Sequence, residues 1–379
     1  MKRRPWVSAS FLLGSAALLS CGGEQGQANE IVIGEYGSLT GTTATFGIST
    51  RNGVDMAIEE VNAAGGVLGR QVRVIVEDDQ GRPEEAQTVV TKLITSDKVV
   101  AIIGEVASSR TLAAAPVAQT HKIPMITPSS TNPAVTEVGD FIFRVCFIDP
   151  FQGLVMAKFA ANSLHMTKVA ILRDIKNDYS VGLADVFVEN FKKMGGTIVV
   201  DQSYSEGDTD FSAQLTSMKS SKPEAIFVPG YYTEVGLIAR QARKLGINVP
   251  LLGGDGWDSP KLYEIGGEAL NGSYFSNHTS VDDPDPVIQK FVSDYKARFG
   301  ETPDSLGANA YDTARIVVDA IKRAGSTDPA KLRDALAQTK DFPGIAGPIT
   351  IDANRNAVKP AVILKVNNGK LDFVERVTP

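Results

Sequence analysis

Ser108-Ser109 and Ser129-Ser130-Thr131 are the side chains whose types and placement best suit chemistry. The first pair follows the apolar run 99–103 and opens a segment of helical composition, 108–118. Hydroxyls and free backbone N–H groups gathered at a helix start favour negative charge, so a small carboxylate is the group this pair suits. A plain helix cap is the competing reading of Ser108. The second segment, Pro128-Ser-Ser-Thr-Asn-Pro133, is another hydroxyl-rich loop at a strand end, leading into a short helix. In a parallel sheet both loops would lie beyond the strand carboxyl ends, where α/β folds hold their ligands. One such loop means little; two in adjacent βα units begin to define a site.

Patterns for catalysis are missing. His121, His165 and His278 have no ligand spacing and no neighbouring cysteine, and read as surface or helix-end residues. The chain has no Gly-x-Ser-x-Gly elbow, no phosphate-binding Gly-x-x-x-x-Gly-Lys run and no Gly-x-Gly-x-x-Gly turn. Glu77-Asp78-Asp79 reads as a solvated turn, and the aspartates of 282–286 as an acidic loop with cation binding a distant second. The expectation is a binding protein with no metal and no cofactor, not an enzyme.

The elements that must position these loops alternate. Strand-like runs at 31–34, 72–76 and 99–103 are interleaved with helical stripes at 48–64 and 83–96. The rhythm restarts after Pro150, with helices at 151–164, 181–194, 211–220 and 233–245 and strands at 169–172, 197–200 and 225–228. Helices at 287–299, 306–324 and 329–339 follow, and then a β-rich tail with an Asn367-Asn368-Gly369 turn. Two βα series predict an α/β chain of two doubly wound parallel-sheet lobes, with crossings near 149–150 and 280–282. The expected division is 31–149 plus about 279–352 for one lobe and 150–278 plus about 353–379 for the other. No convincing repeat of sequence relates the two series.

Composition supports this. Hydrophobic residues make up 43% and charged residues 22%, an ordinary globular profile. The net charge of −6 is spread along the chain without a basic block, so nucleic acid is an improbable partner. Lys2, Arg3 and Arg4 precede an apolar stretch, 6–19, too short and wrongly flanked to span a bilayer, which reads as an export leader over 1–20. Its ending, Leu18-Leu-Ser-Cys-Gly22, resembles the bacterial lipoprotein box, which implies lipidation at Cys21 and a polar tether, 21–30. An ordinary cleaved leader with a chance cysteine is the alternative. The other cysteine, Cys146, falls within the apolar run 141–147 and reads as a buried strand thiol.

The chain resembles the periplasmic branched-chain amino acid binding proteins of ABC importers, the leucine/isoleucine/valine-binding type. The matching blocks are Ile33-Gly34 with Ser38-Leu-Thr-Gly41, Phe46-Gly47, Asn52-Gly-Val-Asp-Met-Ala57, and Val61-Asn-Ala-Ala-Gly-Gly66. They continue through Ile103-Gly104 with Ser108-Ser109, Ile126 to Pro133, Tyr231-Tyr232 with Arg240-Gln-Ala-Arg243, and Gly253-Gly-Asp-Gly256. Similarity of order and spacing runs from Ile31 nearly to Pro379. The resemblance implies the type I periplasmic binding fold, two lobes joined by a hinge. It implies that Ser108 and Thr131 hold the ligand carboxylate and that Ser129 offers its backbone carbonyl to the ammonium. Asp255 matches the family's ammonium-pairing glutamate, one methylene shorter. Tyr231 and Tyr179 match second-lobe aromatics, Phe46 an aromatic that packs on the ligand side chain, and Tyr311, more weakly, a residue reaching the cleft. The implied molecule is a monomeric, lipid-anchored extracytoplasmic receptor in the periplasm or at a bacterial membrane, delivering an apolar or branched-chain amino acid to permease and ATPase partners. Alternatives within the fold are a urea, amide or aromatic-acid receptor, or a detached sensor module.

Overall fold

The apolar runs that carry no in–out alternation lie at the centres of two sheets, covered on both faces by helices. A computed structural model describes residues 1, 2 and 30–379; the export leader from residue 3, Cys21 and the tether through residue 29 lie outside the described residues.

The first sheet is entirely parallel. It contains β1 (Glu30–Gly37), β2 (Gln71–Asp78), β3 (Ile102–Ile103), β4 (Met125–Thr127) and β5 (Ile142–Arg144), in the order β2-β1-β3-β4-β5. The second contains β6 (Lys168–Asp174), β7 (Thr197–Tyr204), β8 (Ala225–Phe227), β9 (Leu251–Gly253) and β10 (Tyr274–Asn277), in the order β7-β6-β8-β9-β10. These two orders are the same topology, one strand series repeated. Its switch point lies between the first and third strands of each series. A small sheet, β11 (Phe342–Gly344), β12 (Gly347–Ile351) and β13 (Ala357–Val358), packs into the first-lobe core. The hairpin of β14 (Ala361–Asn367) and β15 (Lys370–Val377) then adds antiparallel to β10. Its turn residues Asn368 and Gly369 have φ of 50° and 79°, the left-handed pair that a two-residue turn requires.

Helices Pro286–Phe299, Ser305–Ala324 and Pro329–Ala337 return to the first lobe, burying Ile288, Phe291, Ile316, Val317 and Leu332 there. The helix Ser305–Ala324 lies against Ala44–Ala63 so closely that a Cβ on Gly53 would come within 2.2 Å of the Gly307 carbonyl. The chain therefore passes between the sheets after β5, after β10 and between β13 and β14. Ala357 still packs in the first-lobe core, so the last passage falls at Lys359-Pro360, beyond residue 352.

Several elements differ from the sequence expectation. Only Ile102–Ile103 of the run 99–103 forms a regular ladder, because only there do β1 and β4 flank it together. The helix expected at 151–164 begins at Asp149 and widens over Phe159–Ser163 into a π turn. Strands β4 and β9 are three residues each, too short to show periodicity. Cys146 lies just past β5 rather than within it, fully buried, its thiol pushed up to about 12 by burial.

Candidate functional site

The strand carboxyl ends of the two sheets face each other, and the loops beyond them line a small, narrow cleft. Phe46, Val106, Ser129 and Leu306 line it from the first lobe, and Tyr179, Tyr231, Asp255 and Gly256 from the second. Five of the seven expected ligand residues thus share one cavity. Ser108 and Thr131 are buried beside it without lining it.

On the first-lobe side, Ser108 is the first residue of the helix Ser108–His121, whose cap position is Ala107 and which has no side-chain cap bond. The Ser108 hydroxyl instead accepts from the Asn132 amide at 3.3 Å, tying the two hydroxyl-rich loops together. Thr127 and Ser130 knit the second loop to the first through the Glu105 carbonyl, at 2.6 and 2.8 Å. Arg144, fully buried at the end of β5, donates to the carbonyls of Ser130 (2.6 Å) and Asn132 (2.8 Å) and holds the loop's shape. The Ser129 hydroxyl is buried and has no hydrogen-bond partner, and the buried Thr131 hydroxyl lies beside the Asp149 carboxyl. A buried polar atom without a partner costs free energy, so a donor or acceptor brought into the cavity would be stabilised there.

On the second-lobe side, Asn177 caps the helix Asp178–Lys193 by accepting from Tyr179 and Ser180, which sets Tyr179 in the first turn. Tyr179 stacks on Tyr231 with ring centres 5.5 Å apart and planes 9° from parallel, and its hydroxyl accepts from the Gly256 amide at 3.2 Å. Phe46 meets Tyr231 and Tyr232 edge-on at 5.4 and 5.1 Å, so a first-lobe ring seats on second-lobe tyrosines. Burial holds both Tyr179 and Tyr231 phenols well above their usual range, so they act as neutral hydrogen-bonding groups. The Asp255 amide donates to Gln152 Oε1 at 2.8 Å, and Ser276 donates to the same oxygen at 2.8 Å. Of the Asp255 carboxylate, Oδ2 lies 3.0 Å from His278 Nε2 and Oδ1 has no partner. Asp149 lies close by; burial, with Asp255 adding repulsion, raises its carboxyl to about 7.

Four readings need correction. His278 is not a surface residue: it is buried against Asp255, and only His121 and His165 are exposed. Tyr311 donates to Glu60 at 2.6 Å among first-lobe helices and does not line the cavity. Asp79 is not solvated; it is fully buried, bonded to Ser38, and raised to about 7 by burial and the nearby Glu105. Ser108 is not a helix cap. Sequence reasoning missed Val106, Gly256 and Leu306 as lining residues and Arg144 and Gln152 as supports. Recognising 274–277 as a strand would have placed His278 at a carboxyl end beside the site; Leu306 carries no such signal.

A model of the periplasmic binding protein family matches residues 30–370. The Leu/Ile/Val-binding protein BraC3 of Rhizobium johnstonii is 33% identical over 324 residues, 85% of this chain and 87% of that protein. The crystal structure of a leucine-binding protein, LivK, from Thermotoga maritima superposes with a TM-score of 0.88 at 43% identity, covering 92% of this chain and 99% of that one. The branched-chain amino acid transporter substrate-binding protein LivJ of Streptococcus pneumoniae, solved with isoleucine, gives a TM-score of 0.88 at 37% identity, covering 92% and 100%.

Proposed function

The chain belongs to the periplasmic binding protein family, of the type I fold and close to the Leu/Ile/Val-binding proteins of ABC importers, and from that premise we propose that it captures an apolar L-amino acid between its lobes. Membership assigns a receptor's role rather than a catalyst's. The observation that carries the reading is a pairing of unsatisfied groups. The Ser129 hydroxyl in one lobe, and one carboxylate oxygen of Asp255 in the other, are buried without partners.

A zwitterion satisfies both sides at once. Its carboxylate takes hydroxyl donors from Ser108, Ser129 and Thr131, with the helix start at Ser108 adding positive potential. Its ammonium takes the free oxygen of Asp255 and the Ser129 carbonyl. Phe46, Tyr179 and Tyr231, with Val106 and Leu306, form apolar walls suited to an aliphatic side chain. Because one charge is held by each lobe, the ligand favours the closed form over the open one, and closure follows as a population shift. In this reading Cys21 carries the lipid, and a permease with its ATPase receives the ligand. An intact-mass measurement of the mature N-terminus checks the lipid.

Binding is tested by a thermal-shift panel of L-amino acids, amides, urea and simple aromatic acids on refolded protein from Gly22 onward. A ligand at a hundred times its Kd adds about 2.7 kcal/mol, a readable rise in Tm. Aliphatic L-amino acids are expected to raise Tm, and Asp255→Asn to abolish most of the rise. A rise with benzoate-type acids alone, unchanged in Asp255→Asn, would overturn the zwitterion reading.

A further inference from the structure

His278 belongs to no motif, and its surroundings give it a task. It follows β10 directly, on the passage back to the first lobe. Its side chain is fully buried, with Nε2 3.0 Å from Asp255 Oδ2. The ring lies over Phe147, on the passage between the lobes that follows β5, with centres 4.0 Å apart and planes 31° from parallel. The charged groups acting on it are Asp255, Lys359 and Asp258; burial outweighs the acids and lowers its pKa, which favours the neutral ring. A neutral imidazole beside a carboxylate carries its proton on the nitrogen that faces the acid. Here that nitrogen is Nε2, and Nδ1 has no partner.

We propose that His278 is the positioning residue for ammonium recognition. By donating to Oδ2 it stops the Asp255 carboxylate from rotating and leaves Oδ1 as the one oxygen open to the ligand. Doing this as a neutral donor matters. A lysine or arginine in its place would pair with Asp255 and compete with the ammonium for the same charge, whereas imidazole orients the acid and leaves its charge for the ligand. Asp255 is also fixed at its backbone by Gln152, so the carboxylate torsion is the freedom left for His278 to remove. The clasp is anchored at both ends, since Phe147 and His278 sit on different passages between the sheets.

This inference rests on the reading of Asp255 as the ammonium partner, and the test separates the two. The mature chain is titrated by calorimetry with L-leucine and with 4-methylpentanoate, the same skeleton without its ammonium. His278→Phe keeps a ring on Phe147 and removes the donor; His278→Gln returns an amide donor near the position of Nε2. Expected are a leucine affinity weakened about tenfold or more in His278→Phe, recovery to within about threefold in His278→Gln, and unchanged 4-methylpentanoate binding in both. Equal loss of both ligands would mean a merely structural residue, and unchanged leucine binding in His278→Phe would also sink the proposal. Should His278→Phe fail to fold, the glutamine variant decides. There, selective loss of leucine overturns the donor role, and retention of leucine binding supports it. An Asp255→Asn variant that still binds leucine normally would remove the underlying reading instead.

Discussion

Glu35, on β1, is buried with no partner for Oε2, and burial, with Asp55 adding repulsion, raises its carboxyl from 4.5 to about 8. The native state therefore holds a proton that the unfolded chain releases near 4.5. A raised carboxyl contributes stability that is fully present below the unfolded value and lost as pH rises through the native one. Glu35→Gln, which cannot ionise, should leave Tm nearly unchanged at pH 4 and raise it progressively between pH 5 and 9. Parallel Tm–pH curves for the two proteins in calorimetry would contradict this. At this scale the types of the site residues were legible, since Ser, Thr, Asp and Tyr in strand-end loops announce polar recognition. What they bond to was not, because Ser108 and Asn132 meet only when two loops 24 residues apart are brought together.

Between residue and lobe stands the loop 253–256, whose three glycines are there for close approach. A Cβ on Gly256 would come 2.8 Å from the Gly230 carbonyl and 2.9 Å from the Tyr231 ring; one on Gly254 would come 2.5 Å from the Tyr179 hydroxyl. The loop thus lies flat on the stacked tyrosines, and that contact brings Asp255 to the cavity. Gly256→Ala should push Tyr231 out of its stack and weaken amino-acid binding about tenfold or more. Overpacking of this size costs about 1–3 kcal/mol of stability, so the fold should survive. Calorimetric titration alongside a thermal scan checks both, and full affinity in the variant would show that the loop tolerates displacement. Long periodic elements were readable from the chain: the helix expected at 287–299 forms over Pro286–Phe299. Three-residue strands were not, because their register comes from neighbours rather than from their own pattern.

Across the whole molecule the lobes meet through bonds that no single lobe contains. Asp178 donates its amide to Ser109 Oγ at 2.9 Å, Asn132 donates to the Asp178 carbonyl at 2.9 Å, and Thr45 and Ser259 hydroxyls pair at 2.9 Å. One link is ionic: buried Arg110 of the first lobe lies 2.9 Å from Glu206 of the second, with Ser38 and Thr43 accepting from its Nη1. Glu206 is not among the residues that line the cavity. Glu206→Gln should therefore weaken ligand affinity only by lowering the closed fraction, about 1 kcal/mol or roughly fivefold, mostly through faster release. Small-angle scattering should show a larger radius of gyration for the ligand-free variant. Unchanged affinity and unchanged radius would mean that the pair follows closure without favouring it.

Hydrophobic periodicity, strand-end hydroxyls and turn glycines are local properties, and they sufficed for two α/β lobes, for most helices and for the loops around a site. The repeated strand order needed the folded chain, since sheets are ordered by packing and crossover handedness rather than by residue identity. The partners of His278, Arg110 and Arg144 needed it as well. A buried charged or titratable side chain takes its role from whatever burial places beside it, and Asp255 reaches His278 across 23 positions, Arg110 reaches Glu206 across 96. The chain alone determines which polar groups stand at the strand ends; the tertiary structure decides which of their atoms are left unpaired.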